Sequence, residues 1–395
     1  MTAITSSNAL KVVDVDTHIL EPYDLWTSRV STNRWGDKVP HVAHDTTLGV
    51  DMWYSGGRRL RAAASAAQAG WSDMPPNHPP SLDLVAPALW RNVDRLALMD
   101  EFGIHAQVLY PNVAGFGAGQ FTELNDPTLA LELLRAYNDF LTEWSSIDLD
   151  RFIPVMAVPV WDIELSIKEM ERCRGLGHRG MIFSQSPDAF GAPRLGDPHW
   201  DRLWAAAQEM ELSVSFHIAS GDMSGTDLLH SSSGPAANMA TFPVTFFVDN
   251  CRAIATLIGA GICHRFPRLN FISVESGIGW LPFSVAALDW MWVECGVAKE
   301  HPEYDLLPSE YFKRQILGCF WFEAAPSIDS AIAALGADNL MYETDFPHPT
   351  SMWPGPVSTA VRPAEYISSS LGHLPSETIS KLVSGNAARI YHLDL

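Results

Sequence analysis

No apolar run in this sequence reaches the roughly 20 residues that a membrane-spanning helix requires, and Met1 to Leu10 carry neither a basic stretch nor an apolar core of the kind that marks a secretory signal. These absences predict a soluble, cytoplasmic protein. Cysteine is scarce: five residues (Cys173, Cys251, Cys263, Cys295, Cys319), odd in number and with no C-x-x-C pair. That excludes a disulfide framework and a zinc knuckle, and predicts buried thiols in a reducing compartment. Basic residues are few, 26 Lys plus Arg against 46 Asp plus Glu, for a formal net charge of −20. Nucleic-acid binding and a polybasic membrane anchor both need a positive patch, so neither is expected. A G-x-S-x-G nucleophile elbow is missing, which removes serine hydrolysis. The Gly-rich stretch Gly115-Phe116-Gly117-Ala118-Gly119 lacks the G-x-G-x-x-G spacing of a dinucleotide-binding turn and reads as an ordinary loop.

Hydrophobic residues make up 47% of the 395, and charged residues only 18%. Such a chain buries a large core, which excludes intrinsic disorder. Short Val/Ile/Phe/Met-rich runs, as in parallel strands covered on both faces, predict strands at Lys11–Asp16, His105–Tyr110, Phe152–Val158, Arg179–Ser184, Leu212–Ile218, Asn270–Glu275, Gln315–Trp321 and Leu340–Asp345. Helical patterns stand between them, among them Asn92–Phe102, Pro127–Trp144, Pro235–Gly259 and Pro375–Ser384. Eight strands alternating with helices predict an α/β fold, a (β/α)₈ barrel formed as one domain over residues 1–395. The stretch 27–89, dense in Pro, Gly and Trp, is too long for a βα connection. It reads as an insertion after strand one, with a short helix at Ala62–Ala69, that serves as a lid over the mouth or an arm in a homodimer. Trp53 and Trp71 read as exposed contact residues of that segment.

A barrel presents its active site at the C-terminal ends of its strands. Four predicted strands end in polar residues: Asp14-Val15-Asp16-Thr17-His18, then His217, then Glu275, then Glu343-Thr344-Asp345. Alternation puts Asp14, Asp16 and His18 on one face. Carboxylates converging on one mouth need a positive partner. No basic residue flanks these strand ends, so a bound divalent transition metal is the simplest counter-charge. Two imidazoles and two carboxylates suit Zn²⁺ first, with Fe²⁺ or Mn²⁺ as alternatives.

Asp16-Thr17-His18 followed by Glu21-Pro22, then His217, Thr344-Asp345-Phe346-Pro347-His348 and the closing Gly385-Asn386-Ala387-Ala388-Arg389 resemble the amidohydrolase-related branch of the amidohydrolase superfamily. That branch includes the aminocarboxymuconate-semialdehyde and γ-resorcylate decarboxylases. The resemblance implies one metal held by Asp16, His18, His217 and Asp345, with Asp345 also moving the proton of a metal-activated water. At strand six the decarboxylases usually carry His, whereas this chain has Glu275, which leaves general base, metal ligand and support of His217 as its roles. His348 is a candidate proton donor beside the metal. Trp280, Trp321 and Trp353 are candidate walls of a substrate pocket, and Glu323 reads as an ordinary surface or salt-bridged residue, with a place facing the mouth as the alternative.

The expected function is a metal-dependent hydrolase acting on the amide, ester or thioester carbonyl of a small molecule with an apolar or aromatic part. The alternative is a metal-dependent non-oxidative decarboxylase, and the alternative of another class is a silent barrel serving as a binding protein.

Overall fold

The computed structural model describes residues 10–113, 124–221, 234–241 and 243–395. The Gly115–Gly119 stretch lies outside them. Eight parallel strands follow the chain: β1 (Val12–His18), β5 (Ile104–Tyr110), β6 (Phe152–Met156), β7 (Gly180–Ile182), β8 (Ser213–His217), β9 (Phe271–Val274), β10 (Ile316–Phe320) and β11 (Leu340–Tyr342). They hydrogen-bond in that order. The ring closes just past β11, where Asp345 N donates to Asp16 O (3.0 Å) and His18 N to Phe346 O (2.7 Å). This is the expected (β/α)₈ barrel. Every residue of β1, β6, β8 and β10 is buried, which is why β6 and β10 read as near-continuous apolar runs.

The helices between the strands begin where the sequence signals them. Asp126 accepts from Leu129 N and precedes Pro127 in the first turn of the helix Pro127–Ser145. Asp162 caps Ile163–Gly175 in the same way. The closing Gly-Asn-Ala motif has a structural reason: Asn386 Nδ2 donates to Ala337 O (2.7 Å) and Leu340 O (2.8 Å), tying the last helix to the start of β11.

Other expectations need correction. Ala62 ends a strand, residues 63–66 form a turn, and no helix spans 62–69. The turn follows a three-stranded antiparallel sheet of β2 (His41–Asp45), β3 (Val50–Ser55) and β4 (Arg58–Ala62) within the insertion. The helix foreseen at Pro235–Gly259 is two, Pro235–Thr241 and Phe247–Gly259, because Pro243 cannot donate to a continuous ladder. The last predicted helix is α only over Ser376–Ser380, then widens into a π turn at Lys381–Gly385. Trp53 is fully buried against Trp26, ring centroids 5.1 Å apart, and offers no contact surface. Cys295 is exposed and Cys251 half-buried, so only three of the five thiols are core residues. Among the described residues no helix is long and apolar enough to cross a membrane.

Candidate metal centre

Strand ends of β1, β8, β9 and β11 deliver their side chains to one buried point. His18 Nε2 lies 3.2 Å from His217 Nε2, 3.4 Å from Asp16 Oδ1 and 3.4 Å from Asp345 Oδ1. His217 Nε2 lies 3.3 Å from Asp16 Oδ1 and 3.6 Å from Glu275 Oε2. The remaining ring nitrogens are committed to backbone: His18 Nδ1 is 3.2 Å from Pro111 O and His217 Nδ1 is 2.9 Å from Ile218 O. With Nδ1–H donating, each Nε2 turns its lone pair toward the cluster, the tautomer a metal ligand needs.

The fit to a cation can be tested on distance and on polar satisfaction. Ligands about 2.0–2.2 Å from a tetrahedral ion lie roughly 3.3–3.6 Å from one another, close to the spacings found here. Both carboxylate oxygens of Asp16 are buried and accept no hydrogen bond, an arrangement costly to maintain without a cation. Two overlapping quartets satisfy the geometry of a metal site, Asp16, His18, His217 and Glu275 on one side and His18, Glu275, Asp345 and His348 on the other. Six buried, metal-compatible donors converge, so a divalent metal site is built into this mouth.

The electrostatics show how crowded the negative charge is. Burial disfavours the His18 imidazolium, yet its hydrogen bonding to the Asp16 and Asp345 carboxylates, and their charges, outweigh burial and push His18 up to about 9. Burial likewise opposes ionisation of Asp345, but the His348 and His18 imidazoles hold it well below the usual carboxylate range. Glu275 goes the other way: burial, then the charges of Asp345 and Asp16, drive it well above its ordinary value. Burial, with the charge of His18, lowers His348 to about 4. That ring stacks on His18 (centroids 3.8 Å apart), and its Nδ1 sits 2.9 Å from Asp345 Oδ1. Thr350 Oγ1 bridges Glu275 Oε1 (3.1 Å) and Asp345 Oδ2.

Asp14 is not part of the cluster. It accepts from Thr344 N (2.8 Å) and Thr344 Oγ1 (2.6 Å), a layer below the mouth, and burial raises it to about 7. Arg95, buried beneath the site, donates to His18 O (2.9 Å) and Gln107 Oε1 (3.1 Å). The expectation that no basic residue approaches was therefore wrong, because it looked only along the strands. Arg61, at the end of β4, reaches over the mouth from the insertion and donates to Asn112 O (3.3 Å). It lines a cavity of about 320 Å³ that also touches His348, Glu275, Asn77 and His78. The only sequence signal for it was the Arg58-Arg59-Leu60-Arg61 run, in which Arg58 and Arg59 are exposed and Arg61 turns inward.

A second, larger cavity of about 790 Å³ opens from the same point, bounded by Glu275 and Thr350 at its inner end and by Trp280 and Trp321 along its walls. Trp353 stands elsewhere: it is buried between Phe102 (4.4 Å) and Phe346 (4.5 Å) and stabilises the core behind the strand-eight loop. Glu323 is no surface residue. It is buried on the wall of the large cavity, accepting from Ile278 N (2.6 Å) and Trp321 N (3.2 Å).

Residues 13–393, nearly the whole chain, match the amidohydrolase family. The chain belongs to that family. The γ-resorcylate decarboxylase of Polaromonas sp. (strain JS666) is 29% identical over 271 residues, which cover 64% of this chain and 76% of that one. Among solved structures, an amidohydrolase from Mycobacterium avium subsp. paratuberculosis superposes with a TM-score of 0.76 at 19% identity, over 98% of this chain and 100% of that one. A dihydroxybenzoic acid decarboxylase from Polaromonas sp. JS666, solved with manganese and the inhibitor 2-nitroresorcinol, superposes with a TM-score of 0.61 at 19% identity, over 97% of each chain. An amidohydrolase-superfamily enzyme is thereby supported, and the decarboxylase alternative is backed better than hydrolysis of an ester or thioester.

Proposed function

We propose that this amidohydrolase-family enzyme is a metal-dependent, non-oxidative decarboxylase of an aromatic or enolic carboxylic acid. The carrying observation is Arg61, a cation on the wall of the smaller cavity at a mouth where the carboxylates of Asp16, Asp345 and Glu275 converge. An anionic substrate would be repelled by Asp16, Asp345 and Glu275 unless positive groups received it, whereas a neutral amide or ester needs no such partner. Relatives such as the γ-resorcylate decarboxylase of Polaromonas support the same reading.

Asp16, His18, His217 and Asp345 would hold the metal, with Glu275 within reach of the same point. The mixed nitrogen and oxygen set suits Zn²⁺ or Mn²⁺. When bound, a divalent cation supplies the positive centre that receives the substrate's carboxylate and an adjacent oxygen. Arg61 orients the acid from the insertion side, so that the segment 27–89 acts as one wall of the mouth. Arg95 and Gln107 hold the end of β1 from below. Loss of CO₂ leaves the electron pair of the broken C–C bond on the ring carbon, which must take a proton. Glu275 Oε1 and Asp345 Oδ2, joined through Thr350 Oγ1, are the atoms placed to hold that proton, and His348 Nδ1 exchanges it with Asp345.

The test is to load the purified protein separately with Zn²⁺ and Mn²⁺ and incubate it with hydroxybenzoates and with aryl esters and thioesters. CO₂ release from an acid, lost on Arg61→Ala, is the expected result. Acid release from esters without CO₂ from any carboxylate would overturn decarboxylation in favour of hydrolysis.

A further inference from the structure

The two cavities share Glu275, Thr350, Ile218, Met239, Pro243 and Pro349, so they are two chambers meeting at the metal centre. Their chemistry differs. The smaller, about 320 Å³, carries Arg61, Ser65, Asn77 and His78. The larger, about 790 Å³, has no Lys, Arg or His on its wall among the described residues. Its ionisable groups are Glu275 at the inner end and Glu323, whose carboxylate is turned to backbone amides of Ile278 and Trp321. Its volume lies in the upper part of the range that encloses drug-sized ligands. A single aromatic ring with its carboxylate would leave most of it to water, against apolar walls that gain nothing from water.

We infer that the substrate is an amphiphilic monocarboxylic acid. Its one carboxylate head lies at the metal centre on the Arg61 side. Its uncharged apolar body, larger than one ring, fills the chamber walled by Met239, Val244, Phe247, Trp280, Trp321 and Phe322. A second acid group on the body is selected against, because no cation among the chamber's described residues receives it and Glu323 stands in the wall. The inference rests on the acid-binding reading above and deepens it by naming the part of the substrate remote from the reacting bond.

Isothermal titration of the Mn²⁺-loaded protein with 2-hydroxybenzoates bearing a 4-alkyl chain, from methyl to hexyl, tests it. Each buried methylene should tighten binding by up to about fourfold, and a carboxylate at the end of the chain should reverse the gain. Ala240→Trp, at an exposed position of the helix Pro235–Thr241 on the chamber rim, fills the space without disturbing the core. It should flatten the dependence on chain length. CO₂ release is scored separately in the same samples. A graded affinity without CO₂ supports the two-chamber substrate while removing the decarboxylase. CO₂ release with affinity independent of chain length, or a gradient unchanged in Ala240→Trp, overturns the inference and leaves the reaction standing. Failure of every acid to bind overturns both.

Discussion

Two carboxylates at the mouth sit on backbone in the left-handed region, Glu275 at φ 53° and Asp345 at φ 56°. L-residues with a Cβ rarely adopt it, and persist there only where the surroundings enforce it. Glu275 comes directly after β9 and Asp345 three residues past the end of β11, and in both cases the turn brings the carboxylate toward the cluster. Glu275→Gln keeps the shape and removes the charge 3.6 Å from His217 Nε2. Competition with a chromophoric chelator should show metal affinity lower by about 10–100-fold; unchanged affinity would mean that Glu275 takes no part in holding the ion. Such residues were readable from sequence because a charged group ending an apolar strand is conspicuous. Depth was not. Alternation grouped Asp14 with Asp16 and His18 correctly by face, but two residues along a strand are about 6.6 Å apart, enough to put Asp14 in the layer below with Thr344. Thr350 gave no signal at all, since a lone Thr in a loop resembles any other.

Elements are held in place by a few buried side chains, and Asn250 shows how. From the helix Phe247–Gly259 its Nδ2 lies within hydrogen-bonding reach of Phe216 O (3.0 Å), Ser273 Oγ (2.9 Å) and Val274 O (3.3 Å), and its Oδ1 accepts from Gln185. One amide thus links a helix to the ends of β8 and β9, which carry His217 and Glu275. Asn250→Ala leaves these groups buried without a partner and should cost about 2–3 kcal/mol, seen as a lower denaturant midpoint. A shift under about 0.5 kcal/mol, the range of neutral surface changes, would show that the linkage matters little. The barrel strands were legible because burial on both faces writes a run of apolar residues. The insertion sheet was not, since β2 and β4 are half-exposed and read His-Val-Ala-His-Asp and Arg-Arg-Leu-Arg-Ala. Its one local signal was Gly56-Gly57, both at positive φ, forming the two-residue turn between β3 and β4.

Across the whole molecule the acidic balance is net −20, and part of it is packed where it is hardest to tolerate. Asp14, Asp16, Glu275, Glu343 and Asp345 are all buried around one barrel end, and burial drives Glu343 well above its ordinary value. Binding of a cation to the folded state alone therefore stabilises the fold. Prolonged chelation should lower the thermal midpoint, and metal restored at about a hundredfold over its Kd should return about 2.7 kcal/mol. A midpoint unaffected by verified metal removal would contradict this. The ring closure between β1 and the segment after β11 carries a further consequence, for the order of events during synthesis. Asp16 and His18 are made long before Asp345, and before the backbone at Asp345 and Phe346 that pairs with Asp16 and His18. Until β11 is made β1 and β10 are unpaired edges, open to neighbouring chains, and Asp345 is missing from the ligand set. Closure of the ring and completion of the cation site therefore wait on the same stretch of chain.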